Sequence, residues 1–142
     1  MSFREKTLWA CLLLPTALWC WYFGSIGVAL AGAAPLDEGL FAARMLENAV
    51  ASIAIQLASV AVLARRDPDP VFTPDEREQW FEYRGASRAY QVISIGILVV
   101  VVGNFLAWSR FAIVNAVVLI YLLSEAMKIV TELSLLRKGA AR

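Results

Sequence analysis

The sequence predicts an all-α fold, a four-helix transmembrane bundle whose third helix extends into the cytosol. Three observations predict it. The 142 residues are 60% hydrophobic, which is too apolar for a soluble domain of this size. The apolar residues form four runs, each long enough to cross a bilayer, which takes roughly 20 residues. A helix-start signal and a charged stretch precede the third run. We therefore expect one four-span membrane domain over residues 1–142.

The ends of the four runs are marked by charged residues and prolines. We expect spans at about 8–34, 40–64, 86–108 and 111–136, with a cytosolic loop and helix start at 65–85. A signal peptide is the alternative interpretation of the first run. That run is far longer than the roughly 7–15 apolar residues of a signal-peptide core, so we expect a transmembrane helix instead.

The helix-start signal lies immediately before the third run. Thr73 is a candidate N-cap, Pro74 occupies the first helical position, and Glu76 can close a capping box. No proline follows, so the pattern predicts one helix from Thr73 to about Trp108. We expect it to continue through Gly85, because glycine costs only about 1 kcal/mol relative to alanine in a helix.

The distribution of lysine and arginine predicts the orientation in the membrane. Two of these residues precede the first span, five lie between residues 65 and 88, and three follow the fourth span. The opposite side has only Arg44 and Arg110. Ten lysine and arginine residues on one side against two on the other predict a protein of the bacterial cytoplasmic (inner) membrane with both termini in the cytoplasm.

Polar residues within the spans form two layers by depth, and such residues are candidates for function. The outer layer comprises Arg44, Glu47, Asn48, Asn104 and Asn115. We expect Glu47, Asn48, Asn104 and Asn115 to point inward and touch, because an amide facing lipid has no hydrogen-bond partner. Within this layer Glu47 is the best candidate for a proton or cation site.

The cytoplasmic layer comprises Arg88, Gln91, Glu125 and Lys128. We expect Lys128 or Arg88 to neutralise Glu125, since an unpaired carboxylate in the membrane is costly. Three interpretations of the two layers stay open. They are polar contacts that fix helix register, a small-molecule or ion site in the outer layer, and a partner-binding or gating role for the cytoplasmic layer.

Aromatic residues recur at helical spacing in the cytosolic part of the third helix. Trp80, Tyr83, Ser87 and Tyr90 are three and four residues apart. This pattern is usually that of an interfacial aromatic belt. The rival interpretation is a docking face for another protein or another copy. The sequence has no histidine and no phosphate-binding loop, and it predicts neither a cofactor nor a metal site. Its charge runs are mixed in sign, which gives no support to nucleic-acid binding.

Residues 75–90, DEREQWFEYRGASRAY, resemble a segment of small bacterial tetraspan membrane proteins of uncharacterised activity. Those proteins carry a DER-x-x-x-E-type helix that leads into span three. Asn115 and the segment SEAMKIV at 124–130 are similar to further features of that group. The resemblance implies a regulatory or accessory membrane role. Trp80 and Phe81 depart from the aliphatic residues usual there.

These observations favour an accessory or regulatory membrane protein that acts through protein contacts, with the bilayer and a homo-oligomer or partner membrane protein as its partners. An enzyme is the less favoured class. One alternative is a small ion- or drug-coupled oligomeric transporter, although the first span has no acidic residue. The other is a tetraspan lipid- or glutathione-type membrane enzyme, which the group Arg44, Glu47 and Asn48 distantly resembles.

Overall fold

The computed structural model describes residues 2–32, 37–67 and 75–140, and it confirms the all-α fold class. Four long helices account for nearly all of the described residues. They are α1 (Phe3–Ala31), α2 (Glu38–Arg66), α3 (Glu76–Phe105) and α4 (Arg110–Ala140). No strand occurs in the described ranges.

The chain divides into two compact units, Met1–Pro70 and Val71–Arg142. The first contains α1 and α2 and the second contains α3 and α4, and each pair packs as an antiparallel hairpin. In the first hairpin the start of α1 meets the end of α2, where Lys6 Nζ lies 2.9 Å from Asp67 Oδ2. The other end of that hairpin holds an edge-to-face contact between Tyr22 and Phe41, with ring centroids 6.4 Å apart.

All four helices are long and apolar enough to cross a membrane. Only 11% to 22% of the residues in their most apolar stretches are buried, so most of this apolar surface faces outward. Water would make that exposure unfavourable, whereas a hydrocarbon layer accommodates it, and helices satisfy their own backbone hydrogen bonds there. The architecture is that of an integral membrane protein.

Helix α3 confirms one prediction about its course and corrects another. It runs without a break through Gly85, as expected. Its N-cap is Asp75, whose carboxylate accepts a hydrogen bond from the Glu78 backbone N–H at 2.7 Å, so the expected cap at Thr73 is wrong. Thr73 and Pro74 lie outside the described residues. Aspartate is as good an N-cap as threonine or better, and it lies two residues nearer the helix body.

The turn between α3 and α4 is a Schellman motif. Ala107 adopts a positive φ of 57°, its N–H donates to the Asn104 carbonyl, and the Trp108 N–H donates to the Gly103 carbonyl. These two bonds satisfy carbonyls at the end of α3. The helix therefore ends at Phe105, three residues before the expected Trp108, and Ser109 caps α4 by accepting from the Ala112 N–H.

Small residues set the distance between α3 and α4. The buried face of α3 carries a small-residue seam, which we define as Gly85, Ala89, Gly96 and Gly103. A methyl group built on Gly96 would lie 2.3 Å from Ile120 Cγ2, and one on Gly103 would lie 2.5 Å from the Trp108 ring. Real side chains do not approach so closely, so these glycines allow the side chains of the second hairpin to seat against α3.

Candidate functional site

Among the outer-layer residues of α2, only Asn48 is buried within the first hairpin. Asn48 is 6% exposed and shares a buried stripe of α2 with Phe41 and Ser52. Glu47 is exposed, because one residue corresponds to a rotation of about 100° around the helix axis. The Arg44 guanidinium lies 5.7 Å from the centre of the Phe41 ring rather than in an ion pair with Glu47.

The two asparagines of the second hairpin also differ from each other in burial. Asn115 is half-buried, and its amide donates to the Phe111 carbonyl of its own helix at 2.9 Å. Asn104 is exposed, and its side chain makes no hydrogen bond within the described part of the chain. The expectation that all four residues point inward is therefore wrong for Glu47 and Asn104. Equal depth does not determine the face, and the neighbouring Gly103 occupies the buried position, against the Trp108 ring.

A buried hydroxyl that the sequence reasoning did not single out lies beside Asn48. Ser52 Oγ is buried without a hydrogen-bond partner in the described structure. The antiparallel register places Ser52 near the level of Pro15, which is also buried and which cannot donate to the Cys11 carbonyl. The four-residue spacing from Asn48 to Ser52 was the signal that could have revealed this polar stripe.

The cytoplasmic layer has a different pairing from the one expected. Lys128 Nζ lies 4.0 Å from Glu82 Oε1 of α3. Glu125 makes no ion pair with any described residue, and both Arg88 and Gln91 are exposed. The expectation that Lys128 or Arg88 neutralises Glu125 is thus wrong. Lys128 projects across to Glu82 of α3 instead.

The most deeply buried acid in the described residues is Glu132, which the sequence analysis did not include among the candidates. Its side chain is 2% exposed, and Ser124, two turns earlier on α4, is fully buried. A methyl group on Gly85 would lie 3.0 Å from Glu132 Cγ and 2.9 Å from the Lys128 carbonyl oxygen. The missing side chain at Gly85 therefore leaves room for the Glu132 side chain. The four-residue spacing of Ser124, Lys128 and Glu132 was the available signal.

Most of the aromatic residues near the start of α3 are exposed on the side away from α4. Phe81 is buried on the hairpin side, whereas Trp80 is 48% exposed and Tyr83 and Tyr90 are each 72% exposed. The Arg84 guanidinium lies 4.7 Å from the centre of the Trp80 ring, a cation–π contact that restrains both side chains. We call Trp80, Tyr83, Ser87 and Tyr90 the docking face.

Among the described residues, no group of three or more cysteine, aspartate or glutamate side chains is placed to hold a metal ion. No family model matches the chain, and no curated protein or solved structure matches it. Function therefore has to follow from the geometry and chemistry of the residues described above.

Proposed function

We propose that this chain is an accessory or regulatory membrane protein that acts through protein contacts, inserted in the bacterial cytoplasmic membrane with both termini cytoplasmic. We also propose that it belongs with the small bacterial tetraspan proteins that residues 75–90 resemble. One observation carries the proposed role. The docking face presents exposed aromatic side chains on a rigid helix, on the side that α4 does not cover.

The depth of Trp80 favours protein contact over lipid contact. Trp80 lies six residues before the expected start of span three, which is about 9 Å along a helix. The headgroup region extends only about 5–7 Å beyond the hydrocarbon on each side. Tyr83 lies within reach of headgroups, whereas Trp80 extends past them. An aromatic ring in that position gains from burial against another protein.

The chemistry of the docking face is also that of a binding site. Tryptophan, tyrosine and arginine are enriched among the residues that dominate binding energy at protein interfaces. The contact between Arg84 and Trp80 restrains both side chains before any partner arrives, which lowers the entropy cost of association.

Purification from membranes in a mild detergent tests this proposal. The full chain, the variants Trp80→Ala and Tyr83→Ala, and the control Tyr121→Ala would be compared for the complexes that they retain. Tyr121 is an exposed aromatic residue on α4, outside the docking face. We expect the two docking-face variants to lose a complex that the wild type and the control keep. A complex that survives both variants, or no complex at all, would overturn the proposal.

A small ion-coupled transporter is the second candidate, and buried Glu132 is the observation that favours it. Buried carboxylates in membrane helices commonly mark ion pathways and proton relays. Uptake into vesicles that stops with Glu132→Gln but continues with Glu125→Gln would support transport. Equal uptake by both variants, or none by the wild type, would reject it.

A further inference from the structure

Helix α3 carries a second regular face, on the side turned away from the small-residue seam. Starting at Trp80, residues on this face alternate three and four apart, which is the heptad spacing of a helix–helix seam. We call it the outward seam. Its members are Trp80, Tyr83, Ser87, Tyr90, Ser94, Ile97, Val101 and Asn104. All are exposed except Ser94, which is half-buried. The docking face is the cytoplasmic half of this seam.

We propose that the outward seam binds the α3 helix of a second copy of this chain, in a parallel homodimer. The inference rests on the proposed function and names the partner of the docking face. Copies with this lysine and arginine bias all insert in one orientation, so a two-fold axis along the membrane normal makes their α3 helices parallel. Each seam residue then lies beside the same residue of the second copy.

The positions of the charged residues on α3 are compatible with contact between two identical α3 helices. None of the eight seam residues is charged, so identical residues can meet without repulsion. The charged side chains of this stretch, such as Glu82, Arg84 and Arg88, lie beside the seam. Ser87 and Ser94 are small and recur seven residues apart, so two backbones can approach closely at those levels.

The position of Asn104 provides an independent argument for a second copy. It is exposed in the last turn of α3, among the exposed apolar residues Val101, Val102 and Phe105, where an amide facing lipid would have no hydrogen-bond partner. It lies seven residues after Ile97 and fourteen after Tyr90, in the same column of the seam. In a parallel pair, Asn104 meets the partner's Asn104, and two amides can donate and accept mutually.

The exposed area is close to what a stable dimer needs. Trp80, Tyr83 and Tyr90 together expose roughly 400 Å², given 150–250 Å² for each aromatic side chain. Ile97 and Val101 of the seam, and Leu98 beside it, add to this area with about half or more of each side chain exposed. The sum approaches the roughly 800 Å² per partner of a standard interface.

Disulfide cross-linking in membranes tests the seam, using the full chain with Cys11 and Cys20 replaced by alanine. The seam variants Ser87→Cys and Ser94→Cys are paired with Arg88→Cys and Ile95→Cys, which are exposed one residue further along the helix. A disulfide requires Cα atoms about 4.4–6.8 Å apart, so we expect about tenfold more cross-linked dimer from the seam variants. Equal cross-linking of seam and control variants would overturn the dimer.

Asn104→Leu provides a second measurement, with Asn115→Leu as its control because the Asn115 amide donates to its own helix. Light scattering of the purified protein in mild detergent should give twice the protomer mass for the wild type and Asn115→Leu, and a reduced dimer fraction for Asn104→Leu. If Trp80→Ala and Tyr83→Ala release a different protein and no seam variant cross-links, the proposed function stands and the dimer is overturned. A monomer without any bound protein overturns both.

Discussion

At the scale of single residues, the polar side chains are sorted by which face of a helix they occupy. Asn48 is buried while Glu47 beside it is exposed, and buried Ser124 precedes half-buried Glu125. A step of one residue rotates the side chain by about 100°, which moves it from the hairpin contact to the surface. Glu132 is buried as well, where Gly85 of α3 leaves room for its side chain.

A prediction at this scale concerns the left-handed conformation of Ala107. A left-handed backbone costs about 1–2 kcal/mol for a residue with a Cβ, and glycine avoids that cost. Ala107→Gly should therefore raise the free energy of unfolding by about 1 kcal/mol, after the greater freedom of glycine in the unfolded chain is subtracted.

Thermal denaturation in detergent checks this. Ala86→Gly, at an exposed position inside α3, is the control and should lose about 1 kcal/mol because glycine is a poor helix former. Ala107→Gly with a midpoint at or below that of the wild type would show that the turn does not have this conformation in solution.

At the scale of helices, α3 has two faces that differ in burial and in residue size. Its small-residue seam lies against α4, and its outward seam carries large exposed residues. Gly24 and Gly27 of α1 have no comparable contact within the described residues, since a methyl group on either would meet no atom within 4 Å. Of these glycines, those of the second hairpin are the ones that lie in a close contact.

The two classes of glycine predict opposite effects of the same substitution. Gly96→Ala would place a methyl group 2.3 Å from Ile120 Cγ2, on a β-branched side chain with little freedom to move. The helices must separate, and we expect a loss of about 1–3 kcal/mol of stability. Gly27→Ala meets open space and should gain up to about 1 kcal/mol from helix propensity.

Unfolding of the two variants in the same detergent measures the difference. Equal stability of Gly96→Ala and the wild type would contradict the packing of α3 on α4. A loss of stability in Gly27→Ala would show that another helix packs on that face of α1.

At the scale of the whole molecule, the lysine and arginine bias predicts how the chain crosses the membrane. With ten basic residues against two, the loop at residues 33–37 should lie outside and the loop at residues 67–75 inside. Asp37→Cys and Asp69→Cys, in a chain without Cys11 and Cys20, place one thiol in each loop. A membrane-impermeant maleimide added to intact cells should label position 37, and position 69 only after permeabilisation. The reverse pattern would refute the predicted orientation.

Several features of this protein followed from the sequence by itself. A hydrocarbon layer demands about 20 consecutive apolar residues and a backbone that satisfies its own hydrogen bonds. Four such runs therefore predict four helices, and all four are present, with α3 continuous through Gly85. These are one-dimensional properties, because they depend on composition and length along the chain.

Only the tertiary structure decided which side of each helix is buried. Lys128 lies near Glu82 rather than Glu125, Glu132 is the buried acid, and Asn104 faces outward. Each outcome depends on the rotation of a helix about its axis. That rotation is determined by the face on which the partner helix can pack most closely. Gly85 and Gly96 set that approach for α3 and α4, through contacts between residues far apart in the chain. The depth of a polar residue can be read along the sequence, but its direction depends on the helix packed against it.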